Sequence, residues 1–373
     1  MKLWQRAWNP VVDVLPADFL DLPARIYASD PFWLGENSSS VQQAFSIDNP
    51  WFKQGRAWVG VVPDQARLAG FILPGQVIDG VQAAFFGYWE STPALEANVD
   101  LLQALKTWAQ AEGAGIIYGP INFTTYGAYR VRLDTFEAGA FPGEPWNPPY
   151  YAELLQALGM TTCHRYLSTF TSVNATVSQV RKDLDRVQKR LQNQVRLVPM
   201  LPEIWLRDLD QLYDFVQQSF ASNFAYTPLS LDAFRSQCGH PFANRFCPLT
   251  SLRAETSDGM LAGFFLTYPD YSPLLRVHGA GSLSLSELRY EQHLHALPHP
   301  RRLLARTAAV HPDYRDQGLF TAMSCELTLR AQGHYEQIAA ALVREDNASA
   351  HFAQRHGTAS VHHYALYQGN LQI

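Results

Sequence analysis

The strongest constraint on this chain is that it is written twice. Leu68-Ala69-Gly70-Phe71-Ile72-Leu73 returns as Leu261-Ala262-Gly263-Phe264-Phe265-Leu266, about half the chain further on, and each copy follows an apolar run and a short polar turn. In the first copy Ala57 to Val62 leads through Pro63-Asp64-Gln65; in the second Leu249 to Ala254 leads through Ser257-Asp258-Gly259. Both read as β-hairpins, since Asp and Gly supply the turn geometry that joins antiparallel strands. A further strand follows each hairpin (83–88; 303–310), then a helical pattern (97–112; 320–332) that stops at Gly113 or Gly333, then another apolar run (115–118; 338–343). A strand–helix–strand unit of this length pairs its strands in parallel and lays the helix on one face. The expectation is two α/β domains, over 1–172 and 199–373.

Between them, 173–198 carries Arg181, Lys182, Arg186, Lys189, Arg190 and Arg196, while Leu184, Val187, Leu191 and Val195 recur at three- and four-residue spacing. This is an amphipathic basic helix, open to two readings: a solvated linker, or a docking surface for an acidic carrier protein. Gly139 to Pro149 holds four prolines and reads as irregular loop.

The 373 residues are 47% hydrophobic and 17% charged, enough apolar side chain for two packed cores and unlike a disordered chain. A net charge of −5 gives no overall positive field for nucleic acid or anionic lipid, so any anion must be held locally. Cys163, Cys238, Cys247 and Cys325 are scattered without a CxxC pair, which favours reduced thiols over a disulfide framework or a zinc knuckle. With neither a secretory h-region at the start nor a long apolar run later, the expected location is cytoplasmic.

One stretch carries chemistry. From Leu303 an apolar strand runs to Val310, His311-Pro312 breaks it, Arg315 to Gly318 form a polar turn, and a helix opens at Leu319. A helix N-terminus offers unpaired N–H groups and partial positive charge, glycine admits a close ligand, and Arg315 adds a full charge. A diphosphate fits such a place. A Gly-x-Ser-x-Gly elbow and a phosphate-binding Gly-x-x-x-x-Gly-Lys loop are both missing, which removes hydrolase and nucleoside-triphosphatase readings.

Val310-His311-Pro312-Asp313-Tyr314-Arg315-Asp316-Gln317-Gly318-Leu319 resembles the acyl-coenzyme-A signature of the GNAT superfamily of N-acyltransferases, a strand running into Arg-x-x-Gly-x-Gly/Ala. Glu345-Asp346-Asn347 followed by Ala350, Phe352 and Gly357 resembles the family's later strand-to-helix segment. The whole chain is similar to bacterial tandem-GNAT proteins through Gly119 to Phe123, Asn147 to Tyr151 and Ser219 to Phe224. The resemblance implies an α/β fold of two GNAT-like domains, each a mixed, mostly antiparallel twisted sheet with a central parallel strand pair and flanking helices. It implies an acyl-CoA donor, acetyl-CoA or another, with Arg315, Asp316, Gln317, Gly318, Leu319 and Phe320 on the pyrophosphate. Ala308, Ala309 and Val310 then lie along the pantetheine, with Asn347 near that arm.

Departures from the pattern matter. Phe320 stands where the signature has Gly or Ala, and Ala353 falls where many members have the Tyr that protonates the thiolate. The first half has Gly87 to Leu95 in place of Arg-x-x-Gly, and Glu90 there repels phosphate. The donor site is therefore expected in the second half, with the first half as structural partner or acceptor wall. Glu345 is the candidate base and Thr307 its hydrogen-bonding companion, while Asn223 and Tyr226 are candidates for acceptor binding. His293, His295 and His299 lack a completing Cys or acid, so no metal is expected.

The resulting function is acyl transfer to an amine of a small metabolite or peptide, with neither nucleic acid nor membrane as partner. The alternatives are an acyl-carrier protein as donor, or a non-catalytic pantetheine-binding protein.

Overall fold

The computed structural model describes residues 2–191, 194–278, 283–356 and 358–371. The chain forms two compact units. The first takes the described residues up to Arg165 together with those from His363 on; the second takes those from Tyr166 to His362.

In the first unit, β1 (Trp4–Trp8), α1 (Ala17–Ile26) and α2 (Ser38–Ala44) precede the hairpin β2 (Arg56–Val62) and β3 (Ala66–Ile72). A short β4 (Val77–Ile78) leads to β5 (Val81–Ser91), α3 (Leu95–Ala111), β6 (Ile116–Gly119), β7 (Val131–Arg132) and α4 (Tyr151–Ala157). The sheet order is β1-β2-β3-β5-β6-β14, where β14 (Ser360–Asn370) is the last strand of the chain. Among the described residues of this sheet, only β5 and β6 pair in parallel. The hairpin turns at Asp64, whose φ of 61° is one that Asp tolerates better than most side chains. The face toward α3 buries Trp58, Leu68, Phe86, Leu101 and Leu105 in one core.

The second unit repeats the plan. It holds β8 (Thr161–Ser172, from Tyr166 on), α5 (Val173–Leu191), β9 (Val195–Pro199), α6 (Pro202–Arg207), α7 (Leu209–Phe220), α8 (Leu231–Cys238) and α9 (His240–Ala243). There follow the hairpin β10 (Leu252–Thr256) and β11 (Leu261–Pro269), α10 (Ser272–His278), α11 (Tyr290–His293), β12 (Arg302–Val310), α12 (Leu319–Ala331), β13 (Gln337–Arg344) and α13 (Ala348–Arg355). The strand order is β9-β10-β11-β12-β13-β8, antiparallel except for β12 and β13. The α/β fold, with a parallel pair at the centre of each mixed sheet, is the one the repeated pattern calls for.

The contiguous segments 1–172, 173–198 and 199–373 do not coincide with these units. The terminal strand from His363 on belongs to the first, pairing with β6 through Tyr367↔Gly119 and its neighbours. The basic helix is no free linker either. Val180, Leu184 and Leu191 of α5 are buried in one core with Leu319, Ala322 and Met323 of α12. Burial of that apolar stripe fixes the helix, because each such side chain removed from water is worth about 1.5–3 kcal/mol.

Candidate functional site: a strand splay and an open helix start

The parallel pair β12/β13 is the frame of the site. It is in register from Arg302↔Gln337 to Ala305↔Ala340 and then stops, although both strands continue for several residues. Each strand carries an irregularity where they part. On β12 the pairing to β11 jumps from Thr267↔Ala305 to Leu266↔Thr307, so Arg306 is the extra residue of a bulge. On β13 the pairing to β8 jumps between Ala340 and Val343; Leu342 there has a φ of 59°, and its N–H donates to Ser168 Oγ at 2.9 Å. Bulges bend and twist a strand, and two at one level open the pair into a wedge. Ala308 and Val310 pack half-buried on the core that holds Leu319, whereas Ala309 faces the opposite core with Phe215 and Phe264.

At the end of β12 the loop becomes a donor cradle. Gly318 is the N-cap of α12 with a φ of 93°, and no side chain caps that end. Ala322 N–H bonds the Gly318 carbonyl at 2.9 Å, and Arg315 N–H bonds that of Pro312 at 3.2 Å. Between them, from Asp316 to Thr321, no backbone N–H has a partner among the described residues. The carbonyls around it are covered by side-chain donors: Arg315 Nε reaches Val310 O at 3.4 Å, Gln317 Nε2 reaches Asp313 O at 2.6 Å, and Arg190 Nη2 reaches Asp316 O at 2.8 Å. Oxygen dipoles that would repel an anion are thus engaged, and the N–H groups are left to attract one.

Of the expected site residues, Arg315 to Phe320 do come together on this loop. Arg315 does more than lend charge, since its Nη2 also donates to Ser219 O at 2.9 Å, near the end of α7. That bond joins the cradle to the segment bearing Asn223 and Tyr226. Asn223 is exposed, with its N–H on Phe220 O, and the Tyr226 hydroxyl is held by Gln217. Thr307 is half-buried on the diverging part of β12. Glu345 is half-buried in the turn after β13, and Asn347 is exposed just before α13 with its N–H on Arg344 O. Phe320 does not crowd the cradle with its ring: it stacks on Phe265, centroids 5.7 Å apart, and meets the edge of Phe352 at 6.2 Å. Gly357, part of the sequence resemblance, lies outside the described residues.

Two partners escaped sequence reasoning. Arg190 looked like one more charge on a basic face, and only the packing of α5 beside α12 sets it on the loop. His356 Nε2 lies 2.9 Å from Asp183 Oδ2, and its Nδ1 lies 2.8 Å from Phe352 O. No sequence spacing relates residues so far apart. Among the described residues no group of His, Cys, Asp or Glu is arranged to hold a metal ion; His299 instead pairs with Glu336 at 2.9 Å. Among the described residues no helix is long and apolar enough to cross a membrane.

The first unit has no such loop. After β5 the chain passes straight to α3, and Ser91 at the strand end is covered: its N–H donates to Tyr151 Oη at 2.7 Å and its carbonyl accepts from Tyr150 at 2.7 Å. Asn98 donates to Ser91 Oγ and to the Ala94 carbonyl at the helix start.

A mixed sheet with a splayed parallel pair, opening onto an uncapped helix start, twice in outline and once with the full loop, defines the tandem GNAT fold. Comparison with solved structures agrees. A tandem GNAT protein from the clavulanic acid biosynthesis pathway superposes with a TM-score of 0.51 at 14% identity, over 100% of this chain and 99% of that one. A GCN5-related N-acetyltransferase from Anabaena variabilis gives 0.53 at 10% identity, over 100% and 73%. The GCN5-related glucosamine N-acetyltransferase region of a fungal multi-domain β-N-acetylglucosaminidase gives 0.52 at 13% identity, over 99% and 38%. No protein-family model matches the chain, and no curated protein matches its sequence.

Proposed function

We propose that the protein is an acyl-coenzyme-A-dependent N-acyltransferase whose donor binds in the second unit. The observation that carries the reading is the run of six unpartnered N–H groups from Asp316 to Thr321 at the mouth of the β12/β13 splay. Those amides receive the pyrophosphate, and the pantetheine amides lie along β12 past Ala308 where strand pairing to β13 has ended. Transfer needs a neutral amine to attack the thioester carbonyl and the thiolate to leave with a proton. Glu345 takes the ammonium proton, directly or through water, and Thr307 orients the incoming group; Asn223 and Tyr226 belong to the acceptor side.

Calorimetry with coenzyme A and acetyl-coenzyme A tests the donor, with Arg315→Glu as the variant that replaces the cation of the loop by an anion. Saturable binding that the variant loses supports the reading; no binding by the parent protein sinks it. Turnover of an amine library with acetyl-coenzyme A then separates a transferase from a non-catalytic pantetheine binder.

A second donor has its own support. Arg181, Lys182, Lys189 and Arg190 are exposed on α5, and Arg190 reaches the loop itself. An acidic acyl-carrier protein docked there presents the same pantetheine arm. Salt-sensitive carrier binding, abolished when Arg181 and Lys182 are reversed in charge, distinguishes this donor from free coenzyme A.

A further inference from the structure

The first unit holds a polar cluster that the donor site does not use. Glu90, near the end of β5, accepts two phenol hydroxyls on one oxygen: Tyr27 at 2.9 Å and Tyr151 at 2.7 Å, both to Oε2. Its other oxygen, Oε1, has no hydrogen-bond partner among the described residues, and the residue is half-buried, so part of its surface reaches solvent. Arg67 on β3 does not complete the pair. Its side chain is fully buried and committed elsewhere, Nη2 to Glu36 Oε2 at 2.8 Å and Nη1 to Phe19 O at 2.6 Å.

Arg67 makes its ion pair with Glu36, so its charge compensates the Glu90 carboxylate only in part. Two buried polar atoms beside it, Arg67 Nε and Glu36 Oε1, also lack partners. The remaining neighbours are aromatic. Tyr27 is stacked on Trp33 with centroids 5.1 Å apart, and Tyr151 lies against Trp89 at 4.3 Å and Tyr150 at 5.4 Å. A carboxylate with one oxygen clamped and one free, among electron-rich rings and only partly compensated by Arg67, has the makings of an ammonium receptor.

We propose that the first unit carries a ligand site of its own, in which the free oxygen of Glu90 receives the ammonium group of a small organic amine against the aromatic walls of Tyr27 and Tyr151. It is a binding site, not a site of acyl transfer, and it does not depend on the reading of the second unit. Burial pushes the Glu90 carboxyl up to about 7, against the lowering effect of the Arg67 charge and of the hydroxyls of Tyr151 and Tyr27. The ammonium therefore displaces a proton, and binding tightens as pH rises through neutrality.

The test uses the full chain with methylamine and phenethylamine as probes and 2-phenylethanol as the uncharged counterpart, followed by saturation-transfer NMR at pH 6 and pH 8. The expected result is binding of an amine but not the alcohol, about tenfold tighter at pH 8 than at pH 6 as the carboxyl ionises. Glu90→Gln, which keeps the shape, abolishes that binding. Tyr27→Phe keeps the carboxylate but removes one of its donors, and moves the pH dependence upward. Failure of both amines to bind overturns the proposal, and so does equal binding of the alcohol or undiminished binding by the Glu90→Gln variant.

Discussion

Gly318 and Val187 leave no room between them: a β-carbon built on Gly318 would lie 2.9 Å from Val187 Cγ1. The glycine of the loop is therefore required twice, once by its φ of 93° and once by the helix packed against it. Gly318→Ala is expected to cost about 1–2 kcal/mol for the left-handed backbone alone. It should also weaken coenzyme A binding as the cradle shifts. Adding Val187→Ala relieves the contact but not the backbone, so urea titration of the double variant should show only part of the lost stability recovered. An unchanged Gly318→Ala protein would show that the close packing is unimportant.

His356 and Asp183 form a buried pair that ties α13 to α5. An oxygen faces each ring nitrogen, Asp183 Oδ2 at 2.9 Å and Phe352 O at 2.8 Å, so the imidazole is held at both ends. Asp183→Asn takes the carboxylate out of this buried pair and is expected to cost about 3–5 kcal/mol, the usual penalty for breaking a buried pair. Asp183→Asn combined with His356→Gln should cost less than Asp183→Asn alone. A double-mutant cycle in urea without coupling would refute the pairing.

The same aspartate sets an acid limit. Burial alone would raise its pKa, yet hydrogen bonds from Gln179 and His356 and the Arg186 charge hold it below its ordinary 3.8. A depressed folded value means the contribution is present above the unfolded value and lost as pH falls through the folded one. Parent and Asp183→Asn proteins should therefore converge in stability as the pH falls below the ordinary carboxylate value of 3.8, measured by denaturant midpoints.

Glu90 runs the other way. Its folded value of about 7 lies above the ordinary 4.5, so its contribution is complete below 4.5 and declines as pH rises through 7. Glu90→Gln is expected to gain on the parent protein by about 1–3 kcal/mol between pH 5 and pH 8. Thermal melts across that range give the comparison, and a constant difference would contradict the raised value.

Arg315 bridges Val310 O and Ser219 O, so its removal frees two carbonyls beside the cradle. A hydrogen bond from a charged donor is worth about 1.5–3 kcal/mol, and Arg315→Ala should weaken coenzyme A binding roughly ten- to a hundredfold. Arg315→Lys, which keeps the charge without the fork, should fall between. Calorimetry in which both variants bind like the parent would reduce Arg315 to a surface charge.

Much of this architecture is readable from local pattern. The doubled Leu-Ala-Gly-Phe strand, the Asp-bearing turns and the glycines at 113 and 333 mark hairpin, strand, helix and strand in both halves because their signals are short-range. The loop from Arg315 to Leu319 is legible for the same reason, since glycine and a helix start are neighbours in sequence. What is not legible is which strand completes which sheet. β14 joins β6 and β8 joins β13 through backbone hydrogen bonds, which carry no side-chain code.

Local pattern specifies two α/β repeats, their helix starts, and the Arg-x-x-Gly turn that the second repeat carries and the first lacks. Packing between distant segments sets where β12 and β13 part, after Ala305 and Ala340, lays Val187 and Arg190 of α5 on the loop, and brings two phenols to one oxygen of Glu90. The physical reason is one of range. Turn and capping preferences act over a few residues, whereas a bulge, a buried ion pair or an unshared carboxylate oxygen exists only once distant segments have packed and excluded solvent.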